Sequence, residues 1–396
     1  MAILNKIRER IINEIDGVKN DAIKMADYIF DNPEVSEKEF NTQKFLVDKL
    51  EKNGFKVETG SGGLETAFRA EFDFKKSGPA VAFIAEYDAL PEIGHACHHH
   101  IIASSAINTA VALSKLDGML RGKIVVVRTP AEELNEAKKV MIENGAFKGL
   151  DIALMFHGGC KNSTRLIVLA VEYLKFTFKG KASHAAAAPH EGINALDAVI
   201  MLFNSINALR QQLKDDVRIH GNIVDGGKVI NLIPETSSAI FWIRSQSKKY
   251  LDKVVKKVKD CARGAALQTG ADLEISKLQE GGVDLLENKA LIEEFKKNFK
   301  SLGGDFDSRP CVLGSSDIGN LSYVIPVIHP MVKTSGDDCA LHTVEFLKYG
   351  KSGKAHDGMI LGMKAMALTA ARAFLDDGFI KSVKSDFDLA LKKSKD

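Results

Sequence analysis

The sequence of 396 residues is poor in several features, and each shortage excludes something. Its five cysteines, at 97, 160, 261, 311 and 339, are scattered and odd in number. That excludes a small disulfide scaffold and points to reduced thiols in a cytoplasm. There is no surplus of charge: 54 Lys and Arg against 52 Asp and Glu leave a formal net charge of +2. That balance argues against a nucleic-acid binder or a strongly anionic surface protein. No apolar run approaches the roughly 20 residues that cross a bilayer. The first ten residues, MAILNKIRER, carry charges where a signal peptide needs an apolar stretch, so no membrane or targeting segment is expected. A hydrophobic content of 45% excludes disorder and collagen, and the length suits two domains or one large one.

Familiar catalytic signatures are missing too. There is no G-x-S-x-G, H-E-x-x-H, C-x-x-C or G-x-G-x-x-G. The nearest approach to a phosphate-binding loop is Gly350-Lys351-Ser352, with Glu345 where its first glycine must stand. The serine-hydrolase and nucleotide readings lack their minimal residues.

What is present is a concentration of imidazole. Four of the 11 histidines, His95, His98, His99 and His100, fall within six residues, with Cys97 among them. Around them the text alternates. Short apolar runs at 81–85, 124–127 and 152–156 read as strands buried on both faces. Helical segments lie between them at about 100–115 and 135–147, after amphipathic helices at about 4–30 and 41–52. This predicts an α/β fold: a mixed, mostly parallel sheet with helices on both faces. Ligands in such sheets sit beyond the carboxyl ends of strands. Three strand ends deliver chemistry there: Glu86 to His100 after the first, Glu132-Glu133 after the second and His157 after the third.

From about 172 to 285 the texture changes to strand–helix–strand–strand–helix–strand, the order of an α+β ferredoxin-like sandwich. It is expected as an inserted domain, with 1–171 and 286–396 forming the discontinuous domain that carries the strand-end chemistry. The tail from Asp376 is polar and is expected to be loosely held.

In an extended loop, residues i and i+2 point the same way. The Cys97 thiolate and the His99 imidazole can then reach one metal ion, while His98 and His100 point elsewhere or toward a second. Beside a divalent cation the Glu132-Glu133 pair makes sense, one carboxylate binding metal and the other taking a proton from water. His157, His342 and His356 are single candidate ligands.

The segment from Ala85 to Cys97 (AEYDALPEIGHAC), with TPAEE at 129–133, Ser183-His184, VINLIP at 229–234, GSSD at 314–317 and LHTVEF at 341–346, resembles metallopeptidase family twenty. These are di-metal amidohydrolases and carboxypeptidases, and the branch that looks nearest holds aminobenzoyl-glutamate, indole-acetyl-amino-acid and hippurate hydrolases. The match runs nearly the whole length. The resemblance implies two divalent ions per subunit held by Cys97, His99, Glu133, His157 and His342, with zinc or manganese expected and cobalt or nickel as alternatives. It implies that 1–171 and 286–396 form the catalytic metal-binding domain and 172–285 a lid and dimerisation domain, with Glu132 as general base and His184 on the lid as oxyanion donor. Asn231 and Arg244, with Gly314 and Ser315, would bind the substrate, the first two by its carboxylate. His356 is the rival of His342 for the last ligand position.

The expected activity is hydrolysis of N-acyl amino acids by a metal-activated water. Cleavage of dipeptides or other short peptides is the alternative, and a catalytically impaired metal-binding protein is a third reading. The expected partners are a small carboxylate-bearing substrate and a second copy of the chain, not a nucleic acid or a membrane. Two positions depart from the family pattern. His98 stands where a glycine is usual, adding bulk and asking for a backbone conformation that glycine allows. Leu134-Asn135-Glu136-Ala137 replaces a glycine-rich stretch after the carboxylate pair.

Overall fold

The computed structural model describes residues 2–133, 137–308, 310–337 and 339–395. The chain forms two compact units: Met1–Ile167 with Leu285–Asp396, and Val168–Asp284.

In the first unit the helices α1 (Ala2–Asp31) and α2 (Phe40–Lys52) lead into strands β1 (Lys56–Thr59), β2 (Phe68–Asp73) and β3 (Ala80–Ala85). Then come α3 (His99–Ser114), β4 (Lys123–Arg128) and β5 (Ile152–Leu154). The sheet order is β1-β2-β4-β3-β5, with Val327–Ile328 beyond β5. Strands β4, β3, β5 and Val327–Ile328 are parallel neighbours, while β2 runs antiparallel to both β1 and β4. The buried strands alternate between two cores, as a period of two requires. Val81, Phe83, Ala85, Ile124 and Val126 face the core built with α1, α3 and the Gly353–Leu375 helix. Ala82, Ile84, Val125 and Val127 face the opposite core, with Met141, Ile318 and Leu321.

Gly353–Leu375 is long and apolar enough by composition to cross a membrane, yet 78% of its apolar window is buried inside this fold. The third apolar run holds a strand of only three residues, β5, and Met155 and Phe156 lie outside it. After β5 the chain changes partner, and β6 (His157–Gly159) pairs in parallel with Met331–Lys333. The expected helix at 135–147 is shorter, Ala137–Glu143, and positions 134–136 lie outside the described residues.

The tail corrects its expectation. Asp377–Lys395 is a helix with Phe379 and Val383 buried one turn apart. Asn288 donates to the Val383 carbonyl at 2.8 Å, and Asp386 accepts the Ala290 amide at 2.8 Å. Phe379 and Val383 at i and i+4 share one face of an otherwise polar helix, and partly buried Ile380 packs beside them.

The second unit has strands Ala170–Lys179, Arg218–Asp225, Thr236–Ser245 and Asp272–Lys277, with helices Ala195–Leu209 and Lys248–Thr269. In chain order its strands lie 4-1-3-2, all antiparallel, as in a ferredoxin-like sandwich. Leu174, Phe176, Phe178, Phe241 and Ile243 face the two helices. Trp242 and Arg244, offset by one residue, face outward; Trp242 is exposed and Arg244 half-buried.

Candidate active site

Beyond the carboxyl end of β3 the chain turns through Glu86–His98 into α3. Cys97, His99, Glu132, Glu133 and His157 all follow strand ends of the same unit, and His342 arrives from the segment before the short helix Val344–Leu347. Cys97 Sγ lies 3.4 Å from His157 Nε2 and 3.3 Å from His342 Nε2. His342 Nε2 is 3.4 Å from Glu133 Oε2, and His99 Nε2 is 3.7 Å from Glu133 Oε1. Glu132 Oε2 sits 3.9 Å from His99 Nε2. The donor atoms form three overlapping groups, each within 4.8 Å: Cys97 with His99 and His157, Cys97 with Glu133 and His342, and His99 with Glu132 and Glu133.

This donor set fits a pair of divalent cations. Two of its buried atoms, His99 Nε2 and Glu133 Oε1, have no hydrogen-bond partner, an unfavourable state unless a ligand meets them. The far ring nitrogens are already committed. His99 Nδ1 faces the Asp88 carbonyl at 3.0 Å, and His157 Nδ1 the Gly158 carbonyl at 2.6 Å. Each of these Nδ1–H donors leaves its Nε2 lone pair aimed at the cluster, the arrangement metal-ligating imidazoles use. Burial, and then the Glu133 charge, push the Cys97 thiol up; a bound cation reverses that. Burial raises Glu132 well above the usual carboxylate range, helped by Glu86 and Glu133. That proton affinity suits a base.

Sequence reasoning missed two supports. Asp88 is buried, and its Oδ2 accepts from the Ser36 hydroxyl and the Glu133 amide, both at 3.0 Å, while Oδ1 is 3.3 Å from His99 Nδ1. Although burial opposes it, His99 and the Glu133 amide hold the Asp88 carboxyl well below its ordinary value. Its place in the AEYDALP segment was the available signal. Lys138 is wholly buried and bridges Glu86 (2.5 Å) and Asp317. Burial raises Asp317 to about 6 against the pull of Lys138, and the Glu86 charge adds to the rise. A lysine inside a helix carries no sequence mark of such burial.

The four clustered histidines separate by role. His98 does adopt the left-handed conformation asked of it, φ 60° and ψ 29°, as the residue capping α3. For a non-glycine residue this costs about 1–2 kcal/mol. Its buried ring contributes two hydrogen bonds and a stacked aromatic contact that offset the strain. The added bulk therefore displaces none of the donors. His100 reaches the Gly350 carbonyl at 3.0 Å rather than the cluster. His356 pairs with Asp27 at 2.9 Å, so the geometry brings His342, not His356, to Cys97.

Gly314, with φ 89°, ends the Cys311–Gly314 strand, and Ser315 Oγ is buried without a partner. No described contact joins either to the cluster.

In the second unit His184 is exposed, and its Nδ1 accepts from the Ala186 and Ala187 amides at 3.2 Å, which leaves Nε2–H free to donate. Asn231 lies beside it. The pairing of Ala170–Lys179 with Thr236–Ser245 continues outward through Gly180 N to Glu235 O, Ile233 N to Ser183 O and Ala185 N to Asn231 O. Arg244 is at the other end of that strand, eight residues past Thr236. At about 3.3 Å per residue the separation exceeds roughly 20 Å. Asn231 and Arg244 of one chain therefore stand too far apart to meet a single small carboxylate.

Residues 173–270 match the peptidase dimerisation domain of the M20 family. The chain is 38% identical over 344 residues to a Xaa-Arg dipeptidase of Mus musculus, covering 84% of this chain and 80% of that one. It is 27% identical to a component of the p-aminobenzoyl-glutamate hydrolase of Escherichia coli K12, covering 97% and 95%. A dinuclear metal-binding M20 peptidase from Bacillus subtilis has a similar fold, with a TM-score of 0.74 at 20% identity over 91% of this chain and 99% of that one. The chain belongs to the M20 family, and it is a metal-dependent hydrolase of amide or peptide bonds.

Proposed function

We propose that the protein hydrolyses the amide bond of small substrates carrying a free carboxylate, N-acyl amino acids or dipeptides, with two divalent ions per subunit. The convergence of Cys97, His99, Glu132, Glu133, His157 and His342 from separate strand ends carries this reading. Cys97, His99 and His157 would hold one ion; Cys97, Glu133 and His342 the other. A thiolate with imidazoles favours zinc, and the carboxylate also admits manganese. When bound, such ions lower the pKa of water and polarise a carbonyl.

The chain's own residues do the rest. Glu132 accepts the proton of the attacking water and delivers it to the leaving amine. Asp88 keeps His99 in one tautomer and fixes the Glu133 backbone. His184 supplies its free Nε2–H to the developing oxyanion. In a homodimer through the 173–270 region, Asn231 and Arg244 would come from different copies. We place it in a reducing cytoplasm, on the scattered and odd-numbered cysteines of the sequence.

The dipeptidase reading has its own support in the 38% identity to a Xaa-Arg dipeptidase. Elemental analysis with a panel of N-acetyl amino acids and dipeptides, basic C-terminal residues included, tests both. Two equivalents of metal with turnover of one class decide between them, and metal without turnover of either defeats the proposal.

A further inference from the structure

The Ala96–His100 segment has a two-residue rhythm. Cys97 and His99 face the donor cluster. The residues between and beside them hold another stretch of chain, 342–350, by its backbone. The Ala96 carbonyl accepts the His342 amide at 3.0 Å. His98 Nε2 meets the Phe346 carbonyl at 3.2 Å, and His100 Nε2 meets the Gly350 carbonyl at 3.0 Å. Since a carbonyl only accepts, both rings carry their proton on Nε2. The Nδ1 of His98 then accepts from the Thr334 hydroxyl at 2.9 Å. Its ring also stacks on Phe346, with centroids 3.9 Å apart. On the other side His98 packs against Gly158, where an added Cβ would lie 3.1 Å from His98 Cβ and 2.7 Å from Thr334 Oγ1. His98 thus touches the neighbour of His157 and the helix that follows His342.

We propose that His98 and His100 are positioning residues that clamp the 342–350 segment, so that His342 stands at Cys97 and Glu133 and completes the second ion site. This rests on the dinuclear reading above. His342 needs such a clamp, because it is half exposed, has a positive φ of 62°, and belongs to a short loop remote in sequence from every other donor. Neither imidazole touches metal or substrate in this scheme. The surplus histidines are ligands of the backbone.

The test titrates metal into His98→Gly, which removes the ring and suits the left-handed backbone, and into His100→Phe, which keeps the ring volume and loses the donor. Calorimetric titration with Mn²⁺ reads both sites. The visible spectrum of Co²⁺-loaded protein reads the Cys97 thiolate band. Each variant should bind the first ion, with the thiolate band retained, and lose about 10–100-fold in affinity for the second.

Two ions bound at wild-type affinity in both variants would overturn the clamp and leave the dinuclear reading intact. A wild-type protein that binds fewer than two ions overturns both. Should His98→Gly fail to fold, Thr334→Val removes only the hydroxyl donor to Nδ1. It should weaken the second site in the same direction, and an unchanged second site there counts equally against the clamp.

Discussion

The Met1–Ile167 and Leu285–Asp396 unit buries both faces of its central strands, and its candidate donors converge within 4.8 Å in overlapping groups. The Val168–Asp284 unit packs helices on one face of its sheet, and its candidate substrate residues stand exposed or half-buried at opposite ends of a strand. The contrast separates two kinds of preorganisation. A doubly covered sheet fixes every strand end, so chemistry placed there is held by one polypeptide. A singly covered sheet presents residues outward, and groups more than roughly 20 Å apart along a strand cannot serve one small ligand. The first unit gathers its candidate donors within one polypeptide, whereas the second holds its candidate substrate residues apart.

Removing one group from each unit exposes that difference most strongly. Glu132→Gln should keep fold and metal content and lose up to about 10⁴ in kcat, the upper range for a positioned base. His184→Ala should lose about 10²–10³, the range for one oxyanion donor. Full activity in Glu132→Gln would remove the base assignment, and an unchanged kcat in His184→Ala would confine the chemistry to the first unit.

The next largest effect is on stability. Lys138 is the buried centre of an ion triad with Glu86 and Asp317, and removing one partner of a buried pair costs about 3–5 kcal/mol. Lys138→Ala should fall in that range. Lys277 of the second unit, half exposed beside Glu172, should cost under about 1 kcal/mol when changed to Ala. Denaturant unfolding of both variants would break the comparison if the two losses were equal.

Acid should act on the same side. Burial, with neighbouring imidazoles, depresses His98, His100 and His329 well below the ordinary histidine value and brings His95 down to about 3. The unfolded chain takes up protons near pH 6.5 and the folded one does not, so stability is full above that value and falls as pH drops. Between pH 7.5 and 5.5 each group should cost about 1 kcal/mol in the metal-free protein. His184, His190 and His220 of the second unit are exposed. Hydrogen exchange at the two pH values should show the first unit opening preferentially; equal opening would mean that its buried imidazoles do not set acid stability.

The sequence made the cage legible and left its supports obscure. Cys97, His99, Glu133 and His157 follow apolar runs whose length and polarity mark buried strands, so their convergence could be argued from sheet geometry alone. His342 needed the LHTVEF motif, because no periodicity ties a loop near the end of the chain to β3. Asp88 and Lys138 escaped because burial of a charged side chain is decided by what surrounds it in space. The β5–β6 break was hidden because an apolar run reads the same whether or not it changes partner. The tail was misjudged because Phe379 and Val383 are few, though correctly spaced.

The smallest expected effect on folding is at Ile230. It is fully exposed, and Val229 and Leu232 beside it and Ile223 and Val224 on the Arg218–Asp225 edge strand are exposed as well. A monomer gains nothing from apolar residues in water, and an open strand edge invites pairing with another chain. Ile230→Asp should leave the unfolding free energy of the isolated chain within about 0.5 kcal/mol, the usual range for an exposed position. It should nevertheless weaken self-association, read as a concentration-dependent shift in sedimentation. If association is lost and turnover falls with it while two metals stay bound, the exposed unit contributes its residues only through a second copy. A dissociated variant with undiminished kcat would show instead that one chain suffices.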